Sequence, residues 1–157
     1  MSGLWLRYSS SLSEEELNQV YRLWNDAYPS ALHHENVSAL EAYLAKLKNI
    51  QHCLAMNAHD DVIGWVATFT RNEARWFVVI VSPKNQRSGV GQGLMRWAMD
   101  REDTLFGWMI DHNEMKMLDG SAYVSPKQFY LKLGFRILEE RLRTEQIDAV
   151  KIAWNKQ

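Results

Sequence analysis

Val81-Ser82-Pro83-Lys84-Asn85-Gln86-Arg87-Ser88-Gly89-Val90-Gly91-Gln92-Gly93-Leu94 carries the chain from a strand, through a glycine-containing loop, straight into a helix. The strand, Ala74 to Val81, holds the unbroken apolar run Trp76-Phe77-Val78-Val79-Ile80-Val81. A strand apolar on both faces is a central strand with helices above and below the sheet. Gly89 to about Glu102 has helical spacing, with Leu94, Trp97 and Ala98 facing inward. The first amides of a helix lack intrahelical acceptors and carry the positive end of its dipole. They bind phosphate oxygens without a charged side chain. Glycine permits the tight curl and lets a ligand approach the backbone closely. The segment reads as a pyrophosphate cradle.

Two other phosphate cradles do not fit. A P-loop needs Gly-x-x-x-x-Gly-Lys-Ser/Thr, and no such string occurs. A dinucleotide fingerprint needs Gly-x-Gly-x-x-Gly. Gly89-x-Gly91 begins one, but its third position falls on Leu94. The loop also lies mid-chain, after a hairpin, with one crossover unit after it.

Upstream, Leu4 to Tyr8 reads as a first strand. Ser13-x-x-Glu16 is a capping box, followed at helical spacing by Leu17, Val20, Tyr21, Trp24 and Tyr28, with Pro29 as the limit. A second box, Ser38-x-x-Glu41, precedes Leu40, Tyr43, Leu44 and Leu47. His52 to Asn57 and Val62 to Thr70 form a hairpin around His59-Asp60-Asp61, and Arg71-Asn72-Glu73 turns the chain again. Downstream, Leu105 to Ile110 is a strand and Asp111 to Val124 is irregular. Ser125 is read as an N-cap with Pro126 in the first helical position. That helix stops at Gly134, which suits a left-handed cap. Phe135 to Glu139 and Ile147 to Trp154 close the fold, the second alternating cleanly. The order β α α β β β α β α β β implies a mixed α/β sheet with helices on both faces.

The 157 residues are read as a single domain, 1–157. At 46% hydrophobic and 24% charged, the chain packs as a globule. A net charge of −1 argues against nucleic acid as a partner, because phosphate-backbone binding needs a clustered basic face. No apolar run spans a membrane. Met1 to Ser11 lacks a basic start followed by an apolar stretch, so no signal peptide is read there. The one cysteine, Cys53, reads as a buried hydrophobe and suits a reducing cytoplasm. No two histidines have helical i, i+4 spacing, so no metal is expected.

Gln86-Arg87-Ser88-Gly89-Val90-Gly91 resembles the Gln/Arg-x-x-Gly-x-Gly/Ala signature of the GNAT N-acetyltransferases. Phe129-Tyr130-Leu131-Lys132-Leu133-Gly134-Phe135 resembles the "Tyr-x-Lys-x-Gly-Phe" that ends the family's C-terminal helix. The element order matches from Leu4 to Trp154. The resemblance implies the GNAT acyl-CoA N-acyltransferase fold, with six to seven strands, and acetyl-CoA as co-substrate. It implies that the amides of Gln86, Arg87, Ser88, Gly89, Val90, Gly91 and Gln92 bind the pyrophosphate. It also implies that Val79, Ile80 and Val81 pair with the pantetheine arm. Val79 would polarise the thioester carbonyl, and Tyr130 would be the acid beside the leaving thiolate and touch the cofactor.

The same resemblance leaves the base open among Glu73, Asp111, His112 and a water chain. Trp65, Phe69 and Trp76 lie on the strands that floor the family's acceptor pocket, bordered by His33-His34 and Asp111; alternation sends some of the rings to each face. An aromatic floor favours an apolar or cationic amine. An asparagine usual in the family before the tyrosine helix is replaced here by Tyr123, with Ser125 close by. The partner implied is a small-molecule amine, on a monomer or homodimer. A non-catalytic acyl-CoA-binding module and a protein or peptide N-terminal acetyltransferase are the alternatives.

Overall fold

The computed structural model describes residues 4–157; residues 1–3 of the expected domain lie outside the described residues. Its elements in chain order are β1 (Trp5–Ser9), α1 (Glu14–Ala27), α2 (Val37–Ala45), β2 (Lys48–Met56), β3 (Val62–Arg71) and β4 (Ala74–Val81). Then come α3 (Val90–Arg101), β5 (Thr104–Met109), α4 (Lys127–Lys132), β6 (Arg136–Arg143) and β7 (Asp148–Asn155). One seven-stranded sheet has the order β1-β2-β3-β4-β5-β7-β6. Among the described residues only β4 and β5 pair in parallel.

The capping box at α1 forms as expected. The Glu16 amide donates to Ser13 Oγ at 3.1 Å, and the Ser13 amide donates to Glu16 Oε1 at 2.8 Å. These contacts satisfy two of the four free amides at the helix start. The box at Ser38 does not form. Asn36 caps α2 instead, its Oδ1 accepting from the Ala39 amide at 2.8 Å. Pro126, not Ser125, occupies the cap position of α4. Ser125 Oγ donates to the Ile110 carbonyl at 2.6 Å and accepts from the Lys127 amide at 3.3 Å.

α1 and α2 cover one face of β2, β3 and β4. There Leu17, Val20 and Trp24 pack with Leu54, Trp65 and Ile80. α3 and α4 cover the other face, packing Leu94, Met95 and Tyr130 on Val66, Phe77, Leu105 and Ile152. Each such large side chain contributes roughly 1.5–3 kcal/mol on burial. Cys53 is wholly buried in this second core, and burial pushes its thiol up to about 12. His52 next to it points to the opposite face and accepts from the Trp65 indole. β7 does not alternate as its sequence suggests. Ala149, Val150, Ile152 and Ala153 are all buried, because β7 lies inside the sheet between β5 and β6. Among the described residues no helix is long and apolar enough to cross a membrane.

Candidate active site

β4 and β5 share a single registered pair, Trp76 with Phe106, and then part. The Ser82 amide donates to the Ile63 carbonyl at 2.8 Å, which fixes the alternation along β4. In an antiparallel pair, successive residues direct their main-chain groups alternately towards and away from the partner. Val78 and Ile80 therefore face β3, and Val79 and Val81 face the gap towards β5. Of the expected pantetheine-pairing residues, Val79 and Val81 present main-chain groups there. Ile80 spends its own on β3 and buries its side chain under α1.

The loop after β4 ends in the gap. The first i→i−4 bond of α3 runs from the Gly93 amide to the Gly89 carbonyl at 3.0 Å, so the amides of Gly89, Val90, Gly91 and Gln92 have no i→i−4 partner in the helix. Gly89 caps α3 in the left-handed region at φ 90°, with no side-chain cap. Arg87 also has positive φ, at 65°. Successive amides in such turns form a concave anion nest. Gln86 Nε2 donates to the Val81 carbonyl at 3.2 Å, tying the loop to the strand end. A Cβ on Gly91 would stand 3.2 Å from the Phe129 ring and 3.5 Å from Val81, so only glycine lets α4 close on the start of α3 without displacement.

Tyr130, on α4, is buried among Phe77, Phe129 and Phe135. Burial drives its phenol far above the ordinary value, and the neighbouring Tyr123 adds to the effect. The group stays protonated at any working pH, so it is a donor and not a base. Burial also pushes Tyr123 up to about 12. Tyr28 is raised by burial first and by Tyr123 and Tyr130 next, so three neutral phenols meet at this end of the gap.

The stretch 111–124, expected as irregular, contains a small hairpin. The Met117 amide donates to the Ser121 carbonyl (2.7 Å), the Tyr123 amide donates to the Met115 carbonyl (2.8 Å), and Lys116 bridges to Ala122. Ser30, between α1 and α2, donates to the Lys116 carbonyl through its amide (2.9 Å) and its hydroxyl (3.3 Å). The hairpin thus straps β5 and α4 to the α1–α2 connection.

The expected base and acceptor residues are not brought together. Glu73 lies on the exposed β3–β4 turn, six residues before Val79. That separation is about 20 Å along a strand and removes it as a base at Val79. Asp111 is held by a two-pronged contact with Arg141, both distances 2.9 Å, which keeps its carboxyl below the usual range. His112 Nδ1 accepts from the Glu114 amide at 3.2 Å, and Nε2 lies 3.1 Å from the Asp148 carbonyl, so both ring nitrogens are engaged. His33 Nε2 is taken by the Tyr28 carbonyl at 2.9 Å. Trp65 is wholly buried, its indole donating to His52 Nδ1 at 3.1 Å, so it is core and not acceptor floor.

Trp76 is 4% exposed, its indole donating to the Arg71 carbonyl at 3.1 Å, and it packs with the partly exposed Phe106 and Trp108, which the sequence reading did not single out. His34 follows His33 in the α1–α2 connection. Its Nε2 is buried without a partner, and burial lowers its pKa. Among the described residues no cluster of three or more His, Cys, Asp or Glu could hold a metal.

A mixed sheet parted beside its central strand, with a helix start at the mouth of the gap, is the arrangement of the acyl-CoA N-acyltransferase fold. The chain belongs to the GNAT acetyltransferase domain family, whose model matches residues 49–137, more than half of its length. An aminoglycoside 6'-N-acetyltransferase complexed with coenzyme A superposes with a TM-score of 0.70, at 14% identity, over 96% of this chain and 96% of that one. The Escherichia coli ribosomal-protein-S18-alanine N-acetyltransferase gives 0.69, at 16% identity, over 96% and 94%. The Vibrio cholerae spermidine/spermine N-acetyltransferase gives 0.65, at 20% identity, over 98% and 92%. At these identities the likeness concerns the fold. No functionally curated protein matches the sequence.

Proposed function

We propose that the protein is an acetyl-CoA-dependent N-acetyltransferase that acetylates the amine of a small molecule by direct attack in a ternary complex. The observation that carries this reading is the start of α3 beside the β4–β5 gap, where the amides of Gly89 to Gln92 have no i→i−4 partner in the helix. A diphosphate suits those donors, and an extended amide-bearing arm suits the gap-facing main-chain groups of Val79 and the Val81 amide, the Val81 carbonyl being taken by Gln86.

Acetyl-CoA supplies an activated acyl carbon, which the neutral amine attacks as the carbon–sulfur bond breaks. The Val79 N–H faces the gap and donates to the carbonyl oxygen as negative charge develops there. Tyr130 holds the proton for the departing sulfur. With Asp111 paired and both His112 nitrogens engaged, the proton lost by the amine passes to water in the gap.

Calorimetric titration tests the cradle. Acetyl-CoA and coenzyme A should bind, and NADH and ATP should not. Binding of NADH or ATP with no association of coenzyme A rejects the reading. The engaged Asp111 and His112 also favour a second reading, a module that holds an acyl-CoA without turning it over. Amine-dependent consumption of the thioester separates the two.

A further inference from the structure

Among the described residues, the face that α1 and α2 cover over β2 to β4 carries no helix beyond β4, since the core beneath them contains no residue of β5, β6 or β7. On that open half stand Phe106 and Trp108, with ring centroids 5.7 and 5.5 Å from Trp76. The register places them on one face. Trp76 pairs with Phe106, and Trp108 pairs with Lys151. α3 packs on the opposite face, so the partly exposed Phe106 and Trp108 border the open side of the gap.

Two cations converge on Trp76. Lys151 Nζ sits 4.5 Å from the Phe106 ring and 5.2 Å from Trp76. The Arg71 guanidinium sits 5.0 Å from Phe69 and 5.2 Å from Trp76. Lys151 is 16% exposed, and its one carboxylate neighbour, Glu140, is 3.4 Å away and 64% exposed. Arg71 has no carboxylate within ion-pair distance among the described residues. It also lines a groove of about 460 Å³ with Lys46, Lys48 and Glu73, where cations outnumber carboxylates. Like charges gathered on one indole ring form a site complementary to an anion. The positions over the rings that would take a substrate ammonium are already filled by the protein's own cations.

We infer that the acceptor amine carries a carboxylate or similar anionic group at its far end, which docks on Arg71 and Lys151, the two cations that cover the buried Trp76 ring. This inference rests on the proposed N-acetyltransferase reading. Trp76 lies three residues before Val79, about 10 Å along the strand, which sets the span between the amine and its anionic end. Polyamines and other polycations are disfavoured, which reverses the sequence-based expectation of a cationic amine.

The test compares kcat/KM for ω-aminocaprylate, n-octylamine and octamethylenediamine with saturating acetyl-CoA. The amino acid should lead and the diamine should trail. Arg71→Gln should lower the amino acid-to-alkylamine ratio about tenfold, the size expected when one charge-assisted contact is lost, and Arg71→Lys should lower it less. The inference is overturned if the diamine equals or exceeds the amino acid, or if the ratio survives both Arg71→Gln and Lys151→Gln. Calorimetric titration of ω-aminocaprylate into the protein gives a readout independent of turnover. Binding should weaken in Arg71→Gln, and equal binding to both proteins overturns the inference. A failure of the acetyltransferase reading shows separately, as absence of coenzyme A binding.

Discussion

His52 provides a quantitative test of the packing beneath β3. It is 4% exposed, and its Nδ1 accepts the Trp65 indole N–H at 3.1 Å. Burial lowers its pKa from 6.5 to about 4, with Glu16 pulling weakly the other way. The unfolded chain takes up this proton near the ordinary value. Between the two values the unfolded state therefore binds more protons, stability rises with pH, and acidification through this window destabilises the fold. At about 1.36 kcal/mol per unit the loss is at most roughly 3 kcal/mol. Linkage gives about 2 kcal/mol of it by about pH 5 and nearly all by about pH 4. Protonation also sets an N–H against the Trp65 indole N–H, which compounds the effect. Urea unfolding of the wild type and His52→Gln over this range isolates the term, since the glutamine carbonyl keeps an acceptor for Trp65 and does not titrate. The wild type should lose about 2 kcal/mol more than the variant between neutrality and about pH 5. Parallel pH profiles would refute a neutral buried imidazole.

Tyr130→Phe should lower turnover while leaving acetyl-CoA affinity nearly unchanged, and equal steady-state turnover would exclude the donor role. Gly89→Ala forces a Cβ into the left-handed region at φ 90° and should cost about 1–2 kcal/mol in urea unfolding. Because it re-aims the free amides, it should also weaken acetyl-CoA binding by about tenfold in calorimetry, as expected when contacts to a charged group are misaligned. Asn36→Ala should destabilise by about 1 kcal/mol and Ser38→Ala by much less, and the reverse order would contradict the observed cap.

The succession of β4, loop and α3 was legible because its signals are local: the apolar run Trp76–Val81, a glycine turn and a helical pattern follow one another directly. The start of α2 was not, because Asn36 and Ser38 are both good caps two residues apart. Only the turn after His34, held through paired contacts between Asn25 and His34, decides between them. β2 begins at Lys48 and not at His52, although Asn49 has a positive φ, because pairing with the far end of β3 extends it. Lys151 gave no sign of reaching Trp76. The contact follows from β7 inserting beside β5, a strand order that no local pattern records. Asp111 and His112 were placed near the right strand end, but their commitments to Arg141, Glu114 and Asp148 are long-range or conformational and have no sequence signature.

With one rung joining β4 to β5, the sheet is mechanically two plates that touch at a corner. Whatever extended molecule fills the wedge supplies the missing rungs on the Val79–Val81 side and becomes part of the framework. Each main-chain group engaged there would add a rung between two halves that α3 and α4 already bridge through Leu94, Met95 and Tyr130.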